Sequence, residues 1–307
     1  MNSLFAAAGM TVFERGWLSS NNILCDGGDL HESTLVDSGY CAHAGQTVAL
    51  VRQALGTRSL HRVINTHLHS DHCGGNSALQ AAYGCLIDIP AGEVDKVDRW
   101  DESALTYHAT GQQCPRFRRT GVVHAGDDVW CGSRRWQAIA APGHDPESFV
   151  LYQPELQLLI SADALWENGF GVVFPELEGI DAFEDVRATL DCLSRLKVRW
   201  VIPGHGRPFD GFHTAIARAH DRLDGLMADP ARHAQHAAKV LIKFHLLEIQ
   251  RTTLAELMNW LHRTPYMTAV HQRYFASTHF DLWCSSLTEN LRMSGAINIE
   301  DGIVSNI

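Results

Sequence analysis

Residues Asn65 to Gly75 read NTHLHSDHCGG. They set His67, His69, Asp71 and His72 within six residues, directly behind the apolar run RVI at 62–64. Protonated together, three imidazoles would repel; buried together without a partner, they would be costly to desolvate. A bound metal ion removes both objections. If the strand continues past Ile64, His67 and His69 share a face and can jointly hold one ion. Asp71 and His72 follow at a loop-to-helix junction, where they can turn toward a second.

Further candidates lie downstream. APGHDPES supplies His144, the run LQLLISAD closes on Asp163, and VIPGHGRP presents His205. Gly143, Gly204 and Gly206 beside the histidines allow tight turns and close backbone approach. Each group falls at the end of a strand-like run, and α/β folds keep their sites at such an edge. Five imidazoles and two carboxylates without a thiolate suit zinc, iron or manganese rather than calcium or magnesium. Any one of these histidines, taken alone, reads as an ordinary surface residue; the ordered set reads as a site. Cys73 beside the motif reads as a small buried residue rather than a ligand.

Outward from the motif, the pattern is α/β. MTVFERG, NNILCDG and STLVDSG are short extended runs ending at glycine. QTVALVRQAL has helical period and stops at Gly56, LHRVINT is a strand, and NSALQAAYG is a helix closed by Gly84. CLIDIP returns to a strand, and the rhythm loosens between residues 95 and 120. GVVHAGDDVW, RWQAIAAPG, SFVLYQPELQLLISAD and VRWVIPGHG restore it, the last two separated by the amphipathic helix AFEDVRATLDCLSRLK. Two β-rich halves, each backed by helices, are expected. Past Asp210 the chain turns helical. Thr253 and Glu256 form a capping-box pattern, and Asp301-Gly302 between two alternating runs signals a hairpin. We therefore expect a domain over residues 1–228 and a smaller, winged-helix-like one over 229–307.

Composition sets bounds. A chain of 307 residues, 45% hydrophobic, buries a substantial core. No apolar run is long enough to span a bilayer, and the start lacks the basic stretch of a secretory signal, so a cytoplasmic location is expected. The net charge of −10 argues against a polyanionic partner. Eight cysteines with no C-x-x-C pair fit reduced thiols.

The order H-x-H-x-D-H-x-G-G, then P-G-H, S-A-D and a second P-G-H, resembles the metallo-β-lactamase-fold hydrolases over roughly residues 10–225. The resemblance implies a four-layer αβ/βα sandwich with a dinuclear site on one edge. His67, His69 and His144 would hold one ion; Asp71, His72 and His205 would hold the other, with Asp163 bridging. Two divalent ions, most often zinc, with iron or manganese as alternatives, would present a bridging hydroxide to a carbonyl or phosphoryl centre. Asp71 would orient that hydroxide as well as ligate.

Departures within the family narrow the substrate. Asp163 stands where the antibiotic-hydrolysing members carry Cys or Ser, and His69 stands where the electron-transferring diiron members carry Glu. The separation of 61 positions from His144 to His205 leaves no room for the inserted domain of the large nucleases. A glyoxalase II-like or lactonase-like enzyme remains, acting on a small thioester, lactone or other activated acyl compound. Trp166, Phe170 and Phe174 are candidate pocket walls. Arg116, Arg118 and Arg119 form either an anion site or a solvated loop. The C-terminal tail also resembles one in a subgroup that contains a single-strand ribonuclease, so RNA or phosphodiester hydrolysis is the rival. An iron-dependent persulfide dioxygenase is a lesser alternative. Residues 235–307 carry six Lys and Arg against six Asp and Glu, which argues against a nucleic-acid surface. The tail reads as a cap over the cleft or a homodimer contact.

Overall fold

A computed structural model describes residues 2–307. The first sheet is ordered β1 to β6: Met10–Phe13, Asn22–Cys25, Thr34–Val36, Arg62–Ile64, Leu86–Pro90 and Gly121–Val123. Its first three strands run antiparallel, and β3 through β6 run parallel. The second sheet holds β7 (Asp128–Cys131), β8 (Arg134–Ala140), β9 (Phe149–Gln153), β10 (Leu158–Ala162) and β11 (Trp200–Pro203), with β11 and β7 at its edges. The run GVVHAGDDVW thus serves both sheets: its two halves are β6 and β7.

Side-chain alternation builds four layers from these two sheets. Ile23, Val36 and Ile64 of the first sheet meet Leu151, Ile160 and Ile202 of the second in one central core. Their neighbours point the other way. Leu24, Leu35 and Val63 pack with Val51 and Leu55 of the helix Ala44–Leu55. Val150, Leu159 and Val201 pack beneath the helices Ala182–Ser194 and Phe212–Ala228. This is the αβ/βα sandwich.

Beyond Ala228 the chain continues as the helix Pro230–Ile249, whose start is capped by Asp229 accepting from the Arg232 amide. The strand β12 (Arg251–Thr253) follows, then the helices Leu254–Arg263, Pro265–Tyr274 and Phe280–Met293. The capping box of Thr253 and Glu256 forms as expected. So does the hairpin of β13 (Ile297–Glu300) and β14 (Ile303–Asn306), with Asp301 and Gly302 both at positive φ. Periodicity did not mark β12 or the helix Pro265–Tyr274; β12 lies on the outer side of β14 and completes a three-stranded sheet. The core of this region takes in Val172 and Leu177 from the sandwich. No helix among the described residues is long and apolar enough to cross a membrane.

Candidate metal centre

Strand polarity explains why the site exists. In the second sheet β8, β10 and β11 point one way, because β9 opposes both β8 and β10 while β10 and β11 are parallel. His144, Asp163 and His205 therefore leave the same edge. From the first sheet, β4 delivers His67 and His69 to that edge, and the short helix Ser70–Cys73 turns Asp71 and His72 inward.

Three overlapping donor sets result: His67, His69 and His144; His67, His72 and Asp163; and Asp71, His72 and His205. Within each, the ligand atoms lie within 4.8 Å of one another. His69 Nδ1 is 2.8 Å from His144 Nε2. Asp163 sits between the sets, Oδ1 at 3.4 Å from His72 Nε2 and Oδ2 at 3.4 Å from His144 Nε2 and 3.8 Å from His205 Nε2. Asp71 Oδ2 is 3.0 Å from His205 Nε2. All seven sequence candidates for the metal are thus brought together.

The backbone is shaped to allow this. Ala162 adopts φ +46° where β10 slips register against β11, which turns Asp163 out of the sheet. A Cβ on Gly204 would lie 2.1 Å from Asp163 Oδ1, so only glycine lets the β11 loop approach the carboxylate. Asn21 grips that loop, donating to the carbonyls of Pro203 at 2.9 Å and Gly206 at 2.7 Å.

Three of the imidazoles are aimed by their other nitrogen. Val172 O lies 2.5 Å from His144 Nδ1. Asp37 Oδ2 lies 2.8 Å from His72 Nδ1 and accepts from Thr66 Oγ1 at 2.9 Å. Thr66 Oγ1 in turn lies 3.1 Å from His67 Nδ1. Burial, reinforced by neighbouring imidazoles, holds His67 well below the usual histidine range. It holds His69 and His144 down to about 4. Neutral imidazole, the ligating form, is favoured at all three. His72 goes the other way: burial opposes its charge, but Asp37, Asp163 and Asp71 outweigh burial. Burial also works against the Asp163 carboxylate, yet His205, His72 and His144 hold it well below its usual range.

These residues fit a metal. His67 Nε2 and His72 Nε2 are buried without a hydrogen-bond partner, and native interiors rarely leave such atoms unmet. Cys73 is fully buried, its Sγ 3.2 Å from Tyr107 Oη and 3.7 Å from Cys114 Sγ; it joins none of the donor sets.

A cavity of about 510 Å³ opens on the cluster. Trp166, Phe170 and Phe174 line it. Trp166 donates to Asp163 Oδ1 at 3.3 Å, and Phe174 sits edge-on to His69 with centroids 5.4 Å apart. The arginine cluster does not join them. Arg119 pairs with Asp98, Arg116 donates to Asp98 O, Arg118 contacts Gln80 through its backbone, and none of the three lines the cavity. Their loop lies where exposed acidic and amide groups already satisfy it.

Sequence reasoning missed several contributors. Asp37 looked like strand-end punctuation, Trp17 stacks on His205 at 5.4 Å, and Val240, Leu241 and Phe244 of the helix Pro230–Ile249 form a cavity wall. The aspartate after the STLV run was the signal available for Asp37; the others are long-range contacts with no local mark.

The sequence pattern of the Metallo-beta-lactamase superfamily matches residues 15–205. The chain belongs to that superfamily. Superfamily membership and the donor sets together mark the cluster as a metal-binding site. Among curated relatives, a hydroxyacylglutathione hydrolase of Hyphomonas neptunium is 30% identical over 148 residues, 44% of this chain and 50% of that one. One of Brucella anthropi is 32% identical over 128 residues, 41% and 42% respectively. The chain thus spans about half the length of the curated relatives it matches. Among solved structures, a metallo-beta-lactamase family protein of Thermus thermophilus aligns with TM-score 0.59 at 18% identity, covering 97% of this chain and 99% of that one. A beta-lactamase domain protein of Burkholderia ambifaria aligns with TM-score 0.56 at 20% identity, covering 97% and 91%. Both share the fold through the C-terminal helices.

Proposed function

We propose that this chain is a dinuclear zinc hydrolase that cleaves small thioesters or closely related activated acyl compounds in the cytoplasm. His67, His69 and His144 would hold one ion and Asp71, His72 and His205 the other, with Asp163 available to both sets. The observation that carries the reading is the set of buried, unpartnered imidazole nitrogens facing two carboxylates at the floor of an apolar cavity. The hydroxyacylglutathione hydrolase relatives support a thioester over other acyl classes.

Two bound divalent ions supply Lewis acidity for the acyl carbonyl and make water a nucleophile near neutral pH. The chain's own residues do the rest. Asp71 accepts a hydrogen bond from the attacking water and aims it, while Asp37 keeps the His72 proton on Nδ1. Trp166 restrains Asp163 through its indole N–H. Phe170, Phe174, Val240, Leu241 and Phe244 hold the acyl chain and keep bulk water from it. Water adds to the acyl carbon, the C–S bond breaks, and the thiol leaves with a proton while the acid stays behind.

The test is metal content by elemental mass spectrometry together with turnover of a thioester, a lactone and a single-stranded RNA. Two equivalents of zinc with thioester turnover is the expected result. One equivalent of iron and no hydrolysis would overturn it.

A further inference from the structure

The cavity that opens on the metal cluster holds a second feature, which the hydrolytic reading does not use. Arg222, on the helix Phe212–Ala228, reaches into it half-buried. Among the described residues its one polar partner is His236, with Nη2 3.2 Å from Nε2 of that ring. Arginine is donor-only, so His236 accepts and is neutral there; burial, then Arg222 and Lys239, hold that imidazole down to about 4. Among the described residues no carboxylate pairs with Arg222. Other half-buried arginines are better satisfied: Arg58 pairs with Asp26, Arg62 with Asp88, Arg119 with Asp98 and Arg187 with Asp224, and Arg15 donates to Asn22, Thr47 and Gln46. Arg207, which also lines the cavity, is largely exposed and contacts Glu14 at 3.3 Å. Glu167, which lines the cavity along with Asp71 and Asp163, is exposed.

A guanidinium kept from bulk water without a counter-charge is costly, and the cost is recovered when an anion docks on it. The ring of Phe170 lies 5.4 Å from Cζ and holds the group in place. Its reach from the metal cluster can be measured along the chain. A Cβ on Gly169 would touch Arg222 Cδ at 2.7 Å, and one on Gly171 would touch His144 Nδ1 at 2.5 Å. Those two glycines are two residues apart, at most about 7 Å of extended backbone. The guanidinium therefore stands at most about 15 Å from the ligand cluster, with Phe170 between.

We propose that Arg222 is a specificity residue that reads a carboxylate on the substrate, joined by a short apolar chain to the scissile carbonyl. The inference rests on the acyl-hydrolase reading above and adds the substrate class to it. A carboxylate suits the site better than a phosphate: the fork is planar, its neighbour is a neutral imidazole, and one positive charge matches a monoanion.

The test is calorimetric titration of the zinc-loaded protein with 6-mercaptohexanoate and with 6-mercaptohexan-1-ol. Both offer the metal the same thiol and differ only at the far end. The wild-type protein is expected to bind the acid about ten- to a hundred-fold more tightly. R222Q, checked for an unchanged melting temperature, erases that preference, and R222K, which keeps the charge, retains part of it. Equal affinities in the wild type, or a preference that survives R222Q, overturns the proposal. A preference lost in R222Q without any thioester turnover keeps the anion site and removes the hydrolase reading; thioester turnover with no preference does the reverse.

Discussion

Asp37 touches no reacting atom in the scheme above, yet its loss is expected to disable the metal centre. The carboxylate is 1% exposed and bonded on both oxygens. Oδ2 meets His72 Nδ1 at 2.8 Å and Thr66 Oγ1 at 2.9 Å, while Oδ1 accepts from the Thr66 amide at 2.9 Å. In D37N the side chain keeps its shape, and asparagine tolerates the positive φ of this position. One amide oxygen can still serve His72 and the threonine hydroxyl, but the NH2 group must then face the Thr66 amide donor. That buried clash costs about 1–3 kcal/mol. The imidazole also loses its anionic partner, and such losses typically weaken metal binding by about 10- to 100-fold. Zinc affinity is read by competition with a chromogenic chelator, and stability by thermal melting. We expect a drop within that range and a melting point several degrees lower. Zinc affinity within about twofold of wild type, at an unchanged melting point, would refute the idea that Asp37 aims His72.

Other outcomes follow from the same geometry. G204A places a methyl 2.1 Å from Asp163 Oδ1 and 3.0 Å from His72 Cε1, so it should lose at least one equivalent of bound metal by elemental analysis. L241A removes a buried side chain shared by the C-terminal core and the cavity; melting should report a loss of about 2–5 kcal/mol, with KM raised for long acyl chains. Folded-state values of about 3 for His233 and about 4 for His245, both set by burial first, lie below the ordinary 6.5. The unfolded chain therefore binds the extra protons. The stability that these groups contribute is present above about pH 6.5 and drains away as pH falls toward 4, a slope that melting curves across that window should reveal. Stripping the metals with a chelator should abolish turnover and lower the melting point, since the buried imidazole nitrogens lose their partners.

The seven candidate ligands and many element boundaries were legible in the sequence because their signals are local. H-x-H-x-D-H sits within a few residues of one strand end, and glycine beside histidine marks a tight turn. The Thr253–Glu256 cap and the Asp301-Gly302 turn depend on neighbours three residues away or fewer. Helical stretches interspersed with the strand-like runs already implied helices backing each β-rich half. The tertiary structure alone decided which strands point the same way, and hence that residues 67, 144, 163 and 205 converge on one edge. It decided that Asp37, thirty-five residues before His72, orients that ring, and that a C-terminal helix closes the cavity with Val240, Leu241 and Phe244. It likewise withdrew Arg116, Arg118 and Arg119 from the site and put Arg222 there instead. A charge in a sequence carries no record of its partner: Asp98 neutralises Arg119 on the surface, whereas the fold half-buries Arg222 beside a neutral imidazole, where an anion gains most.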